Sequence, residues 1–266
     1  MGAAAAAVMA AVAQGDTPKF KEGKWKRFAG ALAKIQHGKC GYCESKVTCV
    51  TDPDVEHFSP KSEVSFLSDD PKDWGTDELY LPRLKGRRKK VLAKRGYWWL
   101  AYCWENYLLA CGVCNRKWKL TLFPVADTNR TLPPQEGVLE NILLLNPFAG
   151  PHPADHLMFD NIGSVRPHNG SRHGWETIKT CGLDRPALRE SRLEKAHRIH
   201  ELLDELLANP TDGRAIEILS EIRRNGREEF VHCGMIRATF VQRSGMKWED
   251  LEATIGRLQQ TASASI

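Results

Sequence analysis

The sequence predicts an α+β chain, mostly α, in which a small metal-clamped core precedes a helical C-terminal region. Three observations carry this reading. Two matched CxxC pairs, Cys40-Gly41-Tyr42-Cys43 and Cys111-Gly112-Val113-Cys114, frame short segments punctuated by proline and glycine. Beyond Gly182 the apolar residues recur at helical spacing. No run reaches the roughly 18 consecutive apolar residues that a bilayer span needs, so no membrane partner is expected.

The 266 residues suffice for one large domain or two modest ones, and 42% hydrophobic with 27% charged residues describes an ordinary soluble globular protein. The opening MGAAAAAVMAAVAQGD has the small residues of a signal peptide. It lacks a positive charge before an apolar run made of alanine rather than leucine, so residues 1–18 are expected to be a flexible Ala-rich tail and the protein cytoplasmic.

Residues 19–180 form the expected core domain. Trp25, Phe28, Leu32 and Ile35 recur at helical spacing and predict a helix that delivers the chain to the first CxxC. Prolines at 53 and 60 then predict a turn and a short extended segment carrying Glu56 and His57. Residues 60–96 read as a polar, basic insertion. Arg87, Arg88, Lys89, Lys90, Lys94 and Arg95 give it a charge suited to a phosphate backbone, or else to a solvated loop face.

The segment from Tyr97 to Ala110 is the most aromatic in the chain and reads as a packed helix ahead of a base-stacking platform. Asn115 to Leu120 should begin a helix whose first turn faces the site. Leu157 to Val165 reads as a hairpin around Asn161 and Gly163. The helical region, 181–266, is expected to hold a helix from the Asp184-Pro186 start signal to Asn209-Pro210. Further helices follow at about 212–224, 228–241 and 248–260. Its amphipathic faces suit a docking surface for a partner or packing on the core.

One CxxC alone is compatible with a redox dithiol, a disulfide or buried cysteine. Two pairs of identical spacing favour a single structural zinc held by Cys40, Cys43, Cys111 and Cys114. Cys49, Cys103, Cys181 and Cys233 have no matching partner and read as small core residues. A thiolate metal site also favours a reducing compartment. The remaining histidines, His37 among them, lack paired ligand spacing and are assigned packing or solvent roles.

Cys40-x-x-Cys43, Val55-Glu56-His57-Phe58-x-Pro60-Lys61, Trp104-Glu105-Asn106-Tyr107-Leu108 and Cys111-x-x-Cys114-Asn115-x-Lys117 resemble the zinc-knuckle branch of the HNH endonucleases, the ββα-metal fold. The resemblance implies that His57 is the general base, that Asn106 braces the loop orienting it, and that Glu56 and Asn115 hold the catalytic metal. An amide oxygen at 115, where histidine is commoner, favours Mg²⁺ or Mn²⁺. Glu56 stands where aspartate is commoner. Lys117, with the basic insertion, would contact nucleic acid.

Leu143-Leu144-Leu145-Asn146-Pro147-Phe148, His156-Leu157-Met158-Phe159-Asp160 and Thr177-Ile178-x-x-Cys181-Gly182-Leu183-Asp184-Arg185-Pro186 extend the likeness to the retron- and Septu-associated HNH proteins of bacterial anti-phage defence. That resemblance implies an effector nuclease acting on DNA ahead of RNA, in the bacterial cytoplasm, beside an ABC-type ATPase. The competing reading is a zinc-knuckle subunit that binds nucleic acid without cutting it.

Overall fold

The computed structural model describes residues 2–48, 53–67, 89–93, 95–126 and 141–264, with the backbone alone at 66, 89–93 and 264. The chain begins with helix α1 (Gly2–Ala13), where a flexible tail was expected. Alanine is the strongest helix former, and Ala4 and Val8, one turn apart, are buried against the first core cluster. Burial of that face fixes a segment that composition alone leaves loose.

The single helix predicted from Trp25 to Gln36 is two, α2 (Gly23–Lys26) and α3 (Ala29–Ile35). A tighter turn, Phe28 N to Trp25 O at 2.9 Å, separates them. Strands follow in the order β1 (Asp54–His57), β2 (Val64–Leu67), β3 (Lys89–Ala93) and β4 (Tyr107–Ala110). β1 pairs antiparallel with β4, His57 opposite Tyr107 and Asp54 opposite Ala110, while β2 pairs with β3. Among the basic positions, 87, 88 and 94 lie outside the described residues, as do the side chains of Lys89 and Lys90.

The aromatic segment is not the expected helix. It forms two 3-10 turns, Trp98–Leu100 and Trp104–Asn106, and then β4. Aromatic residues are indifferent helix formers and good strand residues, and here their rings meet edge to face, as in Tyr97 with Phe123 at 5.0 Å. β4 runs through the second CxxC into a π-helix, Val113–Lys119. The order β1, β4, helix is the ββα arrangement, with both CxxC pairs at one end.

The predicted hairpin is present as β5 (Leu157–Phe159) with β6 (Val165–Pro167). Helix α4 (Arg172–Cys181) is capped by Ser171, whose hydroxyl accepts from Gly174 N at 3.1 Å. It ends at Gly182, whose φ is +61°. A Cβ there would lie 2.1 Å from the Trp118 ring, so glycine is required both for the left-handed turn and for the approach of α4 to the π-helix.

The tail consists of α5 (Pro186–Leu207), α6 (Asp212–Asn225), α7 (Cys233–Ser244) and α8 (Leu251–Ala264). α5 opens with proline in its first turn, as its sequence predicts. α7 starts later than the predicted 228, because His232 adopts a left-handed φ of 59° that breaks helical continuity. Apolar packing changes hands within α5. Leu188 belongs to the core of the first part, and Ala196, Ile199, Leu202 and Leu203 to a second cluster with α6, α7 and α8. Among the described residues, no helix is long and apolar enough to cross a membrane.

Candidate metal and active site

The sulfurs of Cys40, Cys43, Cys111 and Cys114 all lie within 4.8 Å of one another, Cys43 and Cys111 at 3.9 Å. A tetrahedron with Zn–S bonds of about 2.3 Å has sulfur–sulfur edges of about 3.8 Å, so the cluster could bind one structural zinc. The first knuckle is built by backbone: Cys40 N bonds Ser45 O at 3.0 Å, Glu44 N bonds Cys40 O at 2.9 Å, and Glu44 takes φ 57°. Gln36 ties the knuckle to β4, its amide nitrogen donating to Lys39 O and Leu109 O, both at 3.0 Å, and its oxygen accepting from Leu109 N.

Ionised sulfurs need positive company. The Arg185 guanidinium donates to Cys114 Sγ at 3.5 Å from the start of α5. The four thiols pull one another apart in acidity: neighbouring sulfhydryls donate to Cys43 and lower its pKa, while the same crowding and burial hold that of Cys114 well up. One divalent cation would relieve this competition by taking all four as thiolates.

On β1, alternation puts Asp54 and Glu56 on one face and Val55 and His57 on the other. The π-helix lies against the first face. Asn115 Nδ2 donates to Asp54 Oδ2 at 3.1 Å, Arg116 Nε pairs with Asp54 at 3.0 Å, and Lys119 Nζ donates to Glu56 Oε1 at 2.5 Å and to His57 O at 3.1 Å. Lys119 has no exposed surface. Lys117, one turn-step away, is exposed.

His57 lies across the strand from these groups. Its ring meets Trp25 edge-on at 4.8 Å and Tyr107 at 5.2 Å, and its Nε2 donates to Ala101 O at 2.9 Å. The neutral ring with Nε2 protonated leaves Nδ1 as the basic nitrogen. Asn106 holds the chain around it. Its amide oxygen accepts from Ser59 N at 2.8 Å, and its nitrogen donates to Ser59 O at 3.0 Å and to Leu100 O at 3.2 Å, beside the carbonyl that holds His57. Tyr107 Oη adds a bond to Ala101 O at 2.8 Å.

Burial first, and then the charges of Lys61 and Lys119, push the pKa of His57 down to about 3, against the opposing pull of the Ala101 carbonyl. The imidazole is therefore neutral at physiological pH. Lys61 sits over the Trp25 ring at 4.7 Å. The Tyr42 hydroxyl is buried without a partner and feels the Glu56 charge.

Of the residues the sequence singled out, the structure joins the four cysteines to one another and Asn106 to the loop that fixes His57. It does not join Glu56 to Asn115, whose partners are Lys119 and Asp54, and it turns His57 to the other face of β1. The oxygen donors Asp54, Glu56 and Asn115 suit a hard cation in kind. Each carboxylate already has a cationic side chain, so an ion at Glu56 would have to displace Lys119. Arg95, from the basic insertion, donates to Gly15 O at the surface and is half-buried.

Asp54, Lys61, Trp25, Arg185 and Lys119 carry no site role in the sequence-based expectation. Strand alternation from Glu56 points to Asp54, and a four-residue step from Asn115 points to Lys119, so two of these had a signal.

A curated protein named Septu protein PtuB, from Bacillus mycoides (strain KBAB4), is 34% identical over 181 residues, 68% of this chain and 54% of that protein. The chain thus spans about half the length of the relative it matches. No protein-family model matches the chain, and no solved structure matches it.

Proposed function

For a chain that is Septu PtuB-like over 68% of its length, we propose the role of a metal-dependent HNH endonuclease in a bacterial defence system, working in the cytoplasm beside an ABC-type ATPase. The observation that carries this reading is the brace around His57. A neutral imidazole, fixed through Nε2 by the Ala101 carbonyl and held there by the Asn106 bridge, presents an unprotonated Nδ1.

In this reading Nδ1 of His57 removes the proton from the attacking water once substrate binding brings its face of β1 and the Glu56 face to one phosphate. Glu56 and Asn115, with Asp54 beside them, would hold Mg²⁺ or Mn²⁺, which when bound polarises the phosphate and stabilises the leaving oxygen. Lys61 adds positive charge near the scissile group, and Lys117 with the basic insertion would track the phosphate backbone. DNA is proposed ahead of RNA.

A second reading is supported by a different observation. The His57 ring is enclosed by Trp25 and Tyr107, on the face of β1 away from the oxygen donors, which suits a non-catalytic zinc-knuckle subunit that only binds nucleic acid. The test is cleavage of plasmid DNA and of total RNA with Mg²⁺ or Mn²⁺, wild type against His57→Ala. Metal-dependent cutting lost in the variant, with binding retained, supports the nuclease. Binding without cutting by the wild type, alone and with its ATPase partner, supports the second reading.

A further inference from the structure

Between the first knuckle, the loop at 145–154 and helices α5 and α7 lies a cavity of about 360 Å³, at the lower end of the roughly 300–1,000 Å³ typical of small-molecule pockets. Cys40 and Cys43 of the zinc cluster stand on its wall, and the rest of its lining lies outside both the cluster and the His57 site.

Its polar lining is uneven. His232, 2% exposed, takes the Ser191 hydroxyl at Nε2 at 2.9 Å in the tautomer that leaves Nδ1–H as a donor, and that Nδ1 is buried with no hydrogen-bond partner. An unpaired buried polar nitrogen is costly unless something fills it. Arg192, 3% exposed, lines the same space; it donates hydrogen bonds through Nη1, to Gly163 O at 3.3 Å and Leu183 O at 2.8 Å, and its guanidinium lies over the Phe159 ring at 5.2 Å. Its charge lies close enough to His232 to disfavour a proton there.

The carboxylate that could serve these two groups is already engaged. Glu44 accepts from Cys233 Sγ at 3.0 Å and from Gly234 N at 2.8 Å, with Lys39 at 3.6 Å. The cavity therefore offers a cation and an unfilled nitrogen to an oxygen that the chain does not supply. Leu145, Pro147, Leu157 and Phe159 make one wall apolar, with Phe148, 55% exposed, beside them, while Lys39, Glu228 and Arg237 line the rest.

We propose that this cavity binds a small anionic ligand with a flat ring, of the class of a nucleoside monophosphate, its acid group on Arg192 and His232 and its ring against the apolar wall. Because the lining comes from both the knuckle core and the helical tail, the bound ligand would fasten one to the other.

The test is calorimetric titration of the full chain with AMP, adenosine and inorganic phosphate. AMP is expected to bind one per chain and more tightly than either fragment. Loss of a charge-assisted hydrogen bond should weaken AMP at least about tenfold in His232→Ala. Phe148→Ser, at an exposed position that leaves the fold intact, should also weaken it. No saturable binding of AMP overturns the proposal, as does binding that both variants leave unchanged. Phosphate binding as tightly as AMP removes the flat ring from it.

Discussion

The core up to Cys181 and the tail from Ala196 onward are stabilised by different means. In the core the regular elements are short, β1 and β4 having four residues each, and polar groups are buried in bonded sets: Gln36 on β4, Asn106 on the His57 loop, Lys119 on Glu56. In the tail, long helices bury one apolar stripe, and their ion pairs stand in solvent, such as Arg198 with Glu221. A few irreplaceable links hold the first, and many small interchangeable ones the second. Removing one group should therefore cost far more in the core.

The largest expected effect is loss of the clamp. Structural zinc contributes on the order of 10 kcal/mol in small domains, so stripping the metal or making Cys111→Ser should expose the amides of β1, β4 and the π-helix to exchange. The amides of α6 and α8 should stay protected. Hydrogen exchange by mass spectrometry reads both, and equal loss in the two regions would erase the contrast.

Lys119→Met comes next. It leaves the Glu56 carboxylate buried without a counter-charge, at a cost of about 3–5 kcal/mol, read as a drop in unfolding midpoint. If Glu56 can take a divalent ion, Mg²⁺ should restore part of the loss in this variant and add nothing comparable to the wild type. Absence of that rescue argues against Glu56 as a ligand.

Acid should act at the seam between the regions. Burial, followed by the charge of Arg192, lowers the pKa of His232 to about 4, below the unfolded value of about 6.5. Between these values the unfolded chain binds more protons, so the contribution of His232 is present above about pH 6.5 and is lost as pH falls towards 4. In His232→Gln the dependence of stability on pH should flatten across that window. Smallest is Arg198→Ala. Although the pair is bidentate at 2.7 Å, Arg198 is 47% exposed, and the change in stability should stay within about 1 kcal/mol.

The same division decided what was legible in the sequence. Periodicity and proline placed α5 and α6 almost to the residue, and turn residues placed the β5–β6 hairpin, because these depend on local patterns. The cysteines were legible by spacing, and Asn106 through the resemblance. Their surroundings were not. That Glu44 meets Cys233 across 189 residues, or that Lys119 turns inward to Glu56, depends on tertiary approach that no window records. The hold on the Ala-rich start is tertiary in the same way, since its helix is fixed by burial of Ala4 and Val8.

The contact of Arg185 with Cys114 Sγ has a consequence for how the molecule can be watched. Were the four sulfurs to hold a metal, a guanidinium on Cys114 Sγ would draw electron density from the metal–sulfur bond. Exchange zinc for cobalt, and that bond acquires colour. Displacing α5 would then shift an absorption band centred on an ion it never touches, making the hue of the protein a gauge of whether its two halves are engaged.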